Sequence, residues 1–193
     1  MKKPNIGLTF TETLSSFQPG DAKEAAELSA MIDLLSREGN RLLSRNCAYA
    51  HFTASAIILN EERNRTLMAY HRIYDSWAWT GGHADGEDDP EGIARREAEE
   101  ETGIEGLIRL GPGAISVEIL PVFAHERRGK AVPSHLHLNL SYIFLADDSL
   151  PLRIQEEENR AVAWLPCAKL SDYVSEPFMI PIYGRLLQRA NNF

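Results

Sequence analysis

The stretch DDPEGIARREAEEETG, residues 88–103, carries the signals of a helix at both ends. Asp89 suits the N-cap position, and Pro90 directly after it suits the first helical turn. Gly103 suits the position just past the helix end, where a left-handed backbone costs glycine little. The sequence therefore predicts a helix between Asp89 and Gly103, and the last turns of that helix are crowded with acids.

Three of these acids, Glu97, Glu100 and Glu101, are spaced i, i+3 and i+4 and share one face, whereas Glu99 points away from it and is expected to be solvated. Like charges at this spacing destabilise a helix by about 0.2–0.5 kcal/mol per pair, and the helix dipole disfavours acids near a C-terminus. A solvated acidic face is one interpretation, since charge runs usually are solvated. A carboxylate cluster that binds Mg²⁺ or Mn²⁺ is the other, because these cations prefer hard oxygen ligands and would relieve the repulsion.

The composition of the whole chain limits the classes of protein to which it can belong. The 193 residues suffice for one domain with an elaboration, and 44% hydrophobic with 25% charged residues is ordinary for a globular protein. The net charge is −8 without a basic stripe, so no nucleic-acid partner is expected. Cys47 and Cys167 stand far apart and form no CxxC pair, which argues against a disulfide framework or a zinc site.

No segment of the sequence predicts targeting to a membrane. The N-terminal MKKPNIGLTF starts basic but lacks the apolar run of a signal peptide. No stretch has about 18 consecutive apolar residues, so no membrane partner is expected either. A cytoplasmic location is the default expectation.

The N-terminal region predicts one helix. Residues 1–19 look irregular, and the following DAKEAAELSAMIDLLSREG opens with a capping box formed by Asp21 and Glu24. Its apolar residues recur on one face, and Gly39 ends the pattern, so we expect a helix over about 21–38. Such a helix is expected to pack against the remaining chain or a second subunit and to take no part in chemistry.

Strand patterns lie on both sides of the acidic helix. We expect strands at 50–59, 66–73 and 77–80, with Gly81 and Gly82 breaking the pattern. The runs 114–126 and 135–146 predict a long antiparallel pair joined by the turn-rich loop 127–134, and a strand at 161–166 precedes a C-terminal helix within 177–190. Strands before and after a central helix predict a mixed sheet with helices packed against it, which is an α/β fold.

At this point the sequence resembles the Nudix hydrolase family. The Nudix box reads Gly-x5-Glu-x7-Arg-Glu-U-x-Glu-Glu-x-Gly-U, with U aliphatic, and this chain provides Gly82, Asp88 and the run REAEEETGI at 96–104 at every spacing. Asp88 stands where the pattern has Glu. The resemblance covers about residues 49–175 and divides the chain into an N-terminal extension, 1–48, and a Nudix domain with its C-terminal helix, 49–193.

The resemblance implies a Nudix-type α/β/α sandwich with a mixed sheet and a hydrolase that acts on a nucleoside diphosphate linked to another group. The cofactor implied is Mg²⁺ or Mn²⁺, and the partner implied is a small-molecule nucleotide derivative. Glu97, Glu100 and Glu101 would bind the metals and, with Arg96 orienting them, form the catalytic group. The backbone at Gly82 would lie beside the cations.

Two further acids follow from the resemblance. The shorter side chain of Asp88 reaches less far than Glu, so it either binds metal or only ties the loop to the helix. Glu158, six residues before Trp164, matches an acidic residue that family members often carry beyond the box, and it is a candidate metal ligand or catalytic base. The alternative for Glu158 is an ordinary charged loop.

Other side chains suggest substrate contacts. His83 in the box loop and Arg127, in a basic loop that also holds Arg128 and Lys130, are candidate substrate-binding residues, although the loop is also typical of a solvated turn. His135 and His137 alternate on one strand face, which suits a half-buried or substrate-facing pair better than a second metal site. Four aromatic residues could stack on a base, but strand aromatics more often belong to a core: Tyr70, Tyr74, Trp77 and Trp79.

Two other functions fit the same motif less well. The isomerase branch that handles isopentenyl diphosphate uses a cysteine just upstream of the box, where this chain has DSWAWTGG without one. A non-catalytic Nudix-like sensor tends to lose box carboxylates and gain a DNA-binding domain, but this box is nearly complete and the first 48 residues are not basic. The sequence names no substrate, and a homodimer stays open.

Overall fold

The computed structural model describes residues 7–72, 75–127, 129–157 and 159–193. The helices are α1 (Phe10–Ser16), α2 (Ala22–Glu38), α3 (Pro90–Thr102) and α4 (Ile180–Ala190), with short 3-10 helices at Gly39–Leu43 and Cys167–Asp172. The strands are β1 (Ala50–Leu59), β2 (Arg65–His71), β3 (Ser76–Ala78), β4 (Thr80–His83), β5 (Ile108–Leu110), β6 (Ser116–Val122), β7 (His125–Arg127), β8 (Lys130–Val132), β9 (His135–Leu145) and β10 (Asn159–Pro166). None of the helices in these ranges is long and apolar enough to cross a membrane.

Eight strands form one mixed sheet with the order β10-β2-β1-β9-β5, in which β3 also pairs with β2, β4 with β1 and β6 with β9. β1 and β9 are parallel, and the other pairs are antiparallel. The predicted antiparallel pairing of the two long runs is confirmed in β6 and β9. The α/β fold with a mixed sheet is therefore confirmed.

The two faces of β1 carry different cores, because successive side chains of a strand point to opposite sides. Phe52 and Ile58 belong to one cluster with residues of α1, α2 and α3. Ile57 and Leu59 belong to a second cluster with residues of α4. The sheet therefore has helices on both faces.

The N-terminal segment is more ordered than the sequence predicted. The expectation of an irregular stretch over 1–19 is wrong for α1, because Thr9 and Glu12 form a capping box that begins this helix. Phe10 stacks on Phe52 of β1 with ring centroids 4.5 Å apart. Because α1 has only 7 residues, this burial against the core is what stabilises it.

The predicted second helix is present as α2, with Asp21 as its N-cap and Gly39 at its end. The Glu24 side chain does not complete the capping box, which corrects the sequence prediction. One of its oxygens accepts a bond from the Gly20 N–H at 2.7 Å, and both accept from Arg189 of α4 at 2.8 Å. This ion pair, in which Glu24 is fully buried and the Arg189 side chain is 20% exposed, joins α2 to α4 and forms instead of the local cap.

Three strand predictions also needed correction. Gly81 and Gly82 do not break the pattern but lie in β4, which pairs with β1. Part of the expected loop 127–134 forms the hairpin of β7 and β8. The edge strand β5 was not predicted, because its three residues are too few to show a period.

Candidate active site

Helix α3 has the ends that its sequence predicts. The Asp89 side chain accepts a hydrogen bond from the Gly92 N–H, and Gly103 ends the helix with φ 69°. Its small residues Ala94 and Ala98 are fully buried, so the helix lies close to the sheet. This packing turns the acidic face of α3 toward β4.

Glu101 is held against the sheet by uncharged donors. It is only 4% exposed. One carboxylate oxygen accepts a hydrogen bond from the Gly81 N–H at 2.9 Å, and the other accepts from the Asn159 side-chain amide at 2.8 Å. These two hydrogen bonds fix the position of the carboxylate.

Glu97 packs directly against Gly82. A Cβ atom at position 82 would lie 2.2 Å from the Glu97 Cδ, so this approach needs glycine. Arg96 donates to Glu97 at 2.6 Å and to Glu87 at 3.0 Å, and its Nη1 lies 3.8 Å from a Glu100 oxygen. Burial opposes the charge of Arg96, but its hydrogen bonds to Glu87 and Glu97 raise its pKa. Arg96 thus contacts three acids.

Two other acids, Asp88 and Glu158, were predicted from the resemblance. Asp88 accepts a hydrogen bond from the Phe10 N–H at 2.9 Å, so it ties the box loop to α1. Glu158 lies outside the described residues. Arg127 lies in β7, whose backbone alone is described at this position.

Glu97 and Glu101 line a cavity of about 570 Å³, whereas Glu100 is exposed and does not belong to the described lining. Trp79, Gly81, Gly82 and His83 follow one another along its wall. Since Glu101 binds Gly81 and Glu97 contacts Gly82, the acids lie between an aromatic end and a histidine end of the cavity.

The aromatic end is formed by Trp79, Tyr183 and Phe178. Trp79 and Tyr183 meet edge to face with ring centroids 5.2 Å apart, and Phe178 is 40% exposed. Trp77 instead packs edge to face on Tyr70, at 5.5 Å, and Tyr74 lies outside the described residues. Trp79 is therefore the candidate from the sequence that the structure places at the cavity.

The floor of the cavity is a buried hydrogen-bonded network around Asn139. Its side-chain oxygen accepts from Thr53 and Ser55, and its side-chain amide donates to Glu118 at 3.2 Å. Burial raises the pKa of Glu118, while Arg185 of α4 donates to it at 3.0 Å. This network makes the floor rigid and links it to α4.

The histidine end is assembled by strand register. The parallel pairing of β1 and β9 sets His51 beside His137, and β4 pairs His83 with Thr53, two positions along the same face of β1. Ligand atoms of His51, His83 and His137 all lie within 4.8 Å of one another. His135 lies two residues before His137, and their Nε2 atoms are 3.3 Å apart. Among the described residues, the tight group of three metal-type ligands is thus made of histidines.

Burial favours the neutral form of His51 and His137. Desolvation lowers the pKa of His51, and it lowers the pKa of His137 to about 3, with the neighbouring histidines acting in the same direction. The interpretation of His135 and His137 as a half-buried, cavity-facing pair agrees with this placement, because both line the cavity.

Three contributors to the site were missed by sequence reasoning. His51 lies in an apolar run, and no local signal shows that it pairs with β9. Asn159, which binds Glu101, and Glu87, which binds Arg96, carry no motif of their own. Glu87 directly precedes Asp88, the residue at the acidic position of the box.

Comparison with known proteins gives one family match and one partial relative. The sequence matches the NUDIX domain family over residues 50–187. It is 50% identical over 54 residues to a CMP-5'-(N-acetyl-N-hydroxy-3-aminopropyl)phosphonate hydrolase from Streptomyces rubellomurinus. That match covers 26% of this chain and 26% of the relative, so it spans about a quarter of each protein.

Solved structures share the fold. A C. elegans Ap4A hydrolase aligns with a TM-score of 0.53 over 74% of this chain and 98% of that chain, at 16% identity. An E. coli dihydroneopterin triphosphate pyrophosphohydrolase aligns with a TM-score of 0.54 over 72% of this chain and 95% of that chain, also at 16% identity. At such identities the likeness concerns the fold alone.

Proposed function

Because this chain belongs to the NUDIX domain family, we propose that it is a metal-dependent hydrolase of a small-molecule nucleotide derivative. The bond cleaved is a phosphorus anhydride. The observation that carries the proposal is the acidic face of α3, which is fixed against Gly81 and Gly82 at the middle of the cavity wall.

The donor set on this face fits Mg²⁺ or Mn²⁺. Glu97, Glu100 and Glu101 offer carboxylate oxygens and the Gly82 backbone offers a carbonyl, which are the ligands that these hard cations prefer. A bound divalent cation supplies charge neutralisation on the phosphates and lowers the pKa of a coordinated water.

The protein side chains position this chemistry. Arg96 is a positioning residue, since its contacts with Glu97 and Glu87 fix the approach of Glu97 to the cavity. Gly81 and Asn159 hold both oxygens of Glu101. Glu100, whose side chain is 54% exposed, is the acid that moves most freely toward a substrate. Glu158 stays a candidate for the catalytic base.

The shape of the cavity suggests how a nucleotide lies in it. Trp79 and Phe178 at one end offer aromatic surfaces for a base, and stacking of this kind contributes about 1–3 kcal/mol. The acids of α3 lie beside Gly81 and Gly82 of β4, and the phosphates would bind there. The histidines would face the group that is linked to the phosphates. His83 and Arg127 stay candidates for contacts with that group.

Two substrate classes share the required anhydride bond. One is a nucleoside diphosphate linked to another group. The other is a nucleoside monophosphate joined to a phosphonate, and it is favoured by the name of the partial relative, a CMP-linked phosphonate hydrolase. A homodimer and a cytoplasmic location stay predictions, which light scattering and cell fractionation check.

A substrate panel tests the proposal. Nucleoside diphosphate derivatives, a CMP-linked phosphonate and isopentenyl diphosphate are each incubated with Mg²⁺, with Mn²⁺ and with excess chelator, in water enriched in ¹⁸O. We expect nucleoside monophosphate release only with metal, and mass spectrometry then shows which phosphorus receives the labelled oxygen. Full turnover in chelator contradicts the metal requirement, and rearrangement of isopentenyl diphosphate without label uptake supports the isomerase alternative.

A further inference from the structure

We propose that His51, His83 and His137 form a binding site for a divalent transition metal ion, with zinc as the first candidate, separate from the carboxylates of α3. Their ligand atoms lie within 4.8 Å of one another, and all three side chains line the cavity. Zinc binds histidine nitrogens at about 2.0–2.1 Å, so two ligands on one ion are at most about 4.2 Å apart. The group would therefore have to close slightly, by rotation of the side chains, when an ion binds.

The hydrogen bonds around His51 aim a lone pair at this site. The Nδ1 of His51 lies 3.2 Å from the Cys47 carbonyl oxygen, so that nitrogen carries the proton and donates. In the neutral ring, Nε2 is then an acceptor, and it is buried without a hydrogen-bond partner among the described residues. Metal-binding histidines usually donate their other N–H in this way to a carbonyl or carboxylate.

A second chain of bonds supports His137. His135 donates from Nδ1 to the Pro133 carbonyl at 2.9 Å, which makes its Nε2 an acceptor in the neutral ring. His137 then donates from Nε2 to His135 across 3.3 Å, and its own Nδ1 keeps a lone pair. His135 is thus a supporting partner of His137 rather than a fourth ligand.

The ligand type separates this site from the acidic one. Imidazole nitrogens suit zinc and its neighbours, whereas Mg²⁺ prefers oxygen. Three histidines leave a coordination position for water or for a group of the substrate, as in catalytic rather than structural zinc sites. His83 and the acids Glu97 and Glu101 line the same cavity, so an ion at either place would be open to the same substrate.

Zinc binding to the full-length, chelator-stripped protein tests this inference. Isothermal titration with Zn²⁺ is performed with excess Mg²⁺ present, so that the carboxylates are already occupied. We expect one zinc ion per chain, and an affinity that falls at least tenfold in His83→Ala and in His137→Ala, since even a supporting partner is worth about 10–100-fold. His125→Ala is the matched control, because His125 lines the same cavity outside the group of three.

Two further measurements keep the test decisive. Co²⁺ replaces Zn²⁺ in wild type and in His83→Gln, and visible absorption typical of tetrahedral cobalt is expected only in wild type. Circular dichroism confirms that each variant folds, and His83, which is only half-buried, is the variant that tolerates change best. Undiminished zinc binding in the folded His83→Ala and His137→Ala variants would overturn the inference, as would loss in Glu101→Gln alone. Hydrolysis with Mg²⁺ is scored separately, so either proposal can fail without the other.

Discussion

Glu24 and Glu101 are both buried glutamates, with exposed fractions of 0% and 4%, but the hydrogen bonds described for their oxygens differ in kind. At the junction of α2 and α4, both oxygens of Glu24 are bound by Arg189. Beside the cavity, both oxygens of Glu101 are bound by the uncharged Gly81 N–H and Asn159 amide.

This difference separates a structural carboxylate from a functional one. Burial would raise the pKa of Glu24, but Arg189, together with Gly20 and Ser116, lowers it to about 2, so that the ion pair serves folding. Gly81 and Asn159 hold both oxygens of Glu101 beside the cavity. Under the proposed function, the same residue type stabilises one region of the molecule and binds metal in the other.

The largest expected effect is on turnover. Glu101→Gln removes a metal ligand at nearly constant shape, and the rate with Mg²⁺ should fall by about 10²–10⁴-fold, because metal positioning is worth several kcal/mol. Glu99→Gln, on the same helix but off the acidic face, is the control and should stay within about threefold. Steady-state kinetics measure both after melting curves confirm folding. An equal loss of turnover in Glu101→Gln and Glu99→Gln would contradict the assignment of Glu101, and not Glu99, as a metal ligand.

The next effect is on stability. Glu24→Gln removes the counter-charge of the partly buried Arg189 and should reduce the free energy of unfolding by about 1.5–3 kcal/mol, as for other hydrogen bonds to charged groups. Because the folded pKa of Glu24 is about 2, below its usual 4.5, its contribution is complete above pH 4.5 and is lost as pH falls toward 2. Urea unfolding at several pH values measures this. The variant should lose part of the acid sensitivity of wild type, and an unchanged pH profile would show that the pair is not coupled to folding.

A change at the glycine strand should produce a smaller loss of activity. Gly82→Ala places a Cβ 2.2 Å from the Glu97 Cδ, so the flexible Glu97 must move away from its position. We expect turnover to fall about tenfold or more, because each 1.36 kcal/mol added to the activation free energy slows the reaction tenfold. Gly113→Ala, which meets no atom within 4 Å, is the matched control. Wild-type turnover in a folded Gly82→Ala would mean that the position of Glu97 does not matter.

The smallest effect concerns the box acid that binds backbone. Asp88→Ala removes the acceptor of the Phe10 N–H at the start of α1 and should cost about 1 kcal/mol of stability, as for other helix caps. Turnover should change little, and Asp88→Glu, which restores the residue of the family pattern, should behave like wild type. A collapse of turnover in Asp88→Ala would move Asp88 from the structural to the catalytic acids.

The sequence predicted α3 well because its ends and its acidic face are local features. Asp89, Pro90 and Gly103 act through bonds within one or two turns, so their roles are visible without tertiary structure. The ion pair of Glu24 and Arg189 joins residues 165 positions apart, and no local pattern indicates it. Helix α1 was not predicted, because the packing of Phe10 on the core stabilises it and its sequence shows no helical periodicity.

The histidine group shows the same limit in the site itself. His135 and His137 were visible as an alternating pair, and His83 as a residue of the box loop. The parallel register of β1 and β9 brings His51 to them. Register depends on how two strands pair, so the sequence of one strand alone does not predict it. The wide spacing of Cys47 and Cys167 bears only on sulfur ligands and gives no information about a site made of imidazoles.

Direct binding of Mn²⁺ tests the central claim that the acidic face of α3 holds the catalytic cation. Electron paramagnetic resonance measures free Mn²⁺ during titration of wild type, Glu101→Gln and Glu99→Gln, each followed by competition with Mg²⁺, which does not favour imidazole. We predict Mg²⁺-displaceable binding in wild type and Glu99→Gln, and an affinity at least tenfold weaker in Glu101→Gln. Equal affinity in wild type and Glu101→Gln would contradict the assignment of this face as the metal site.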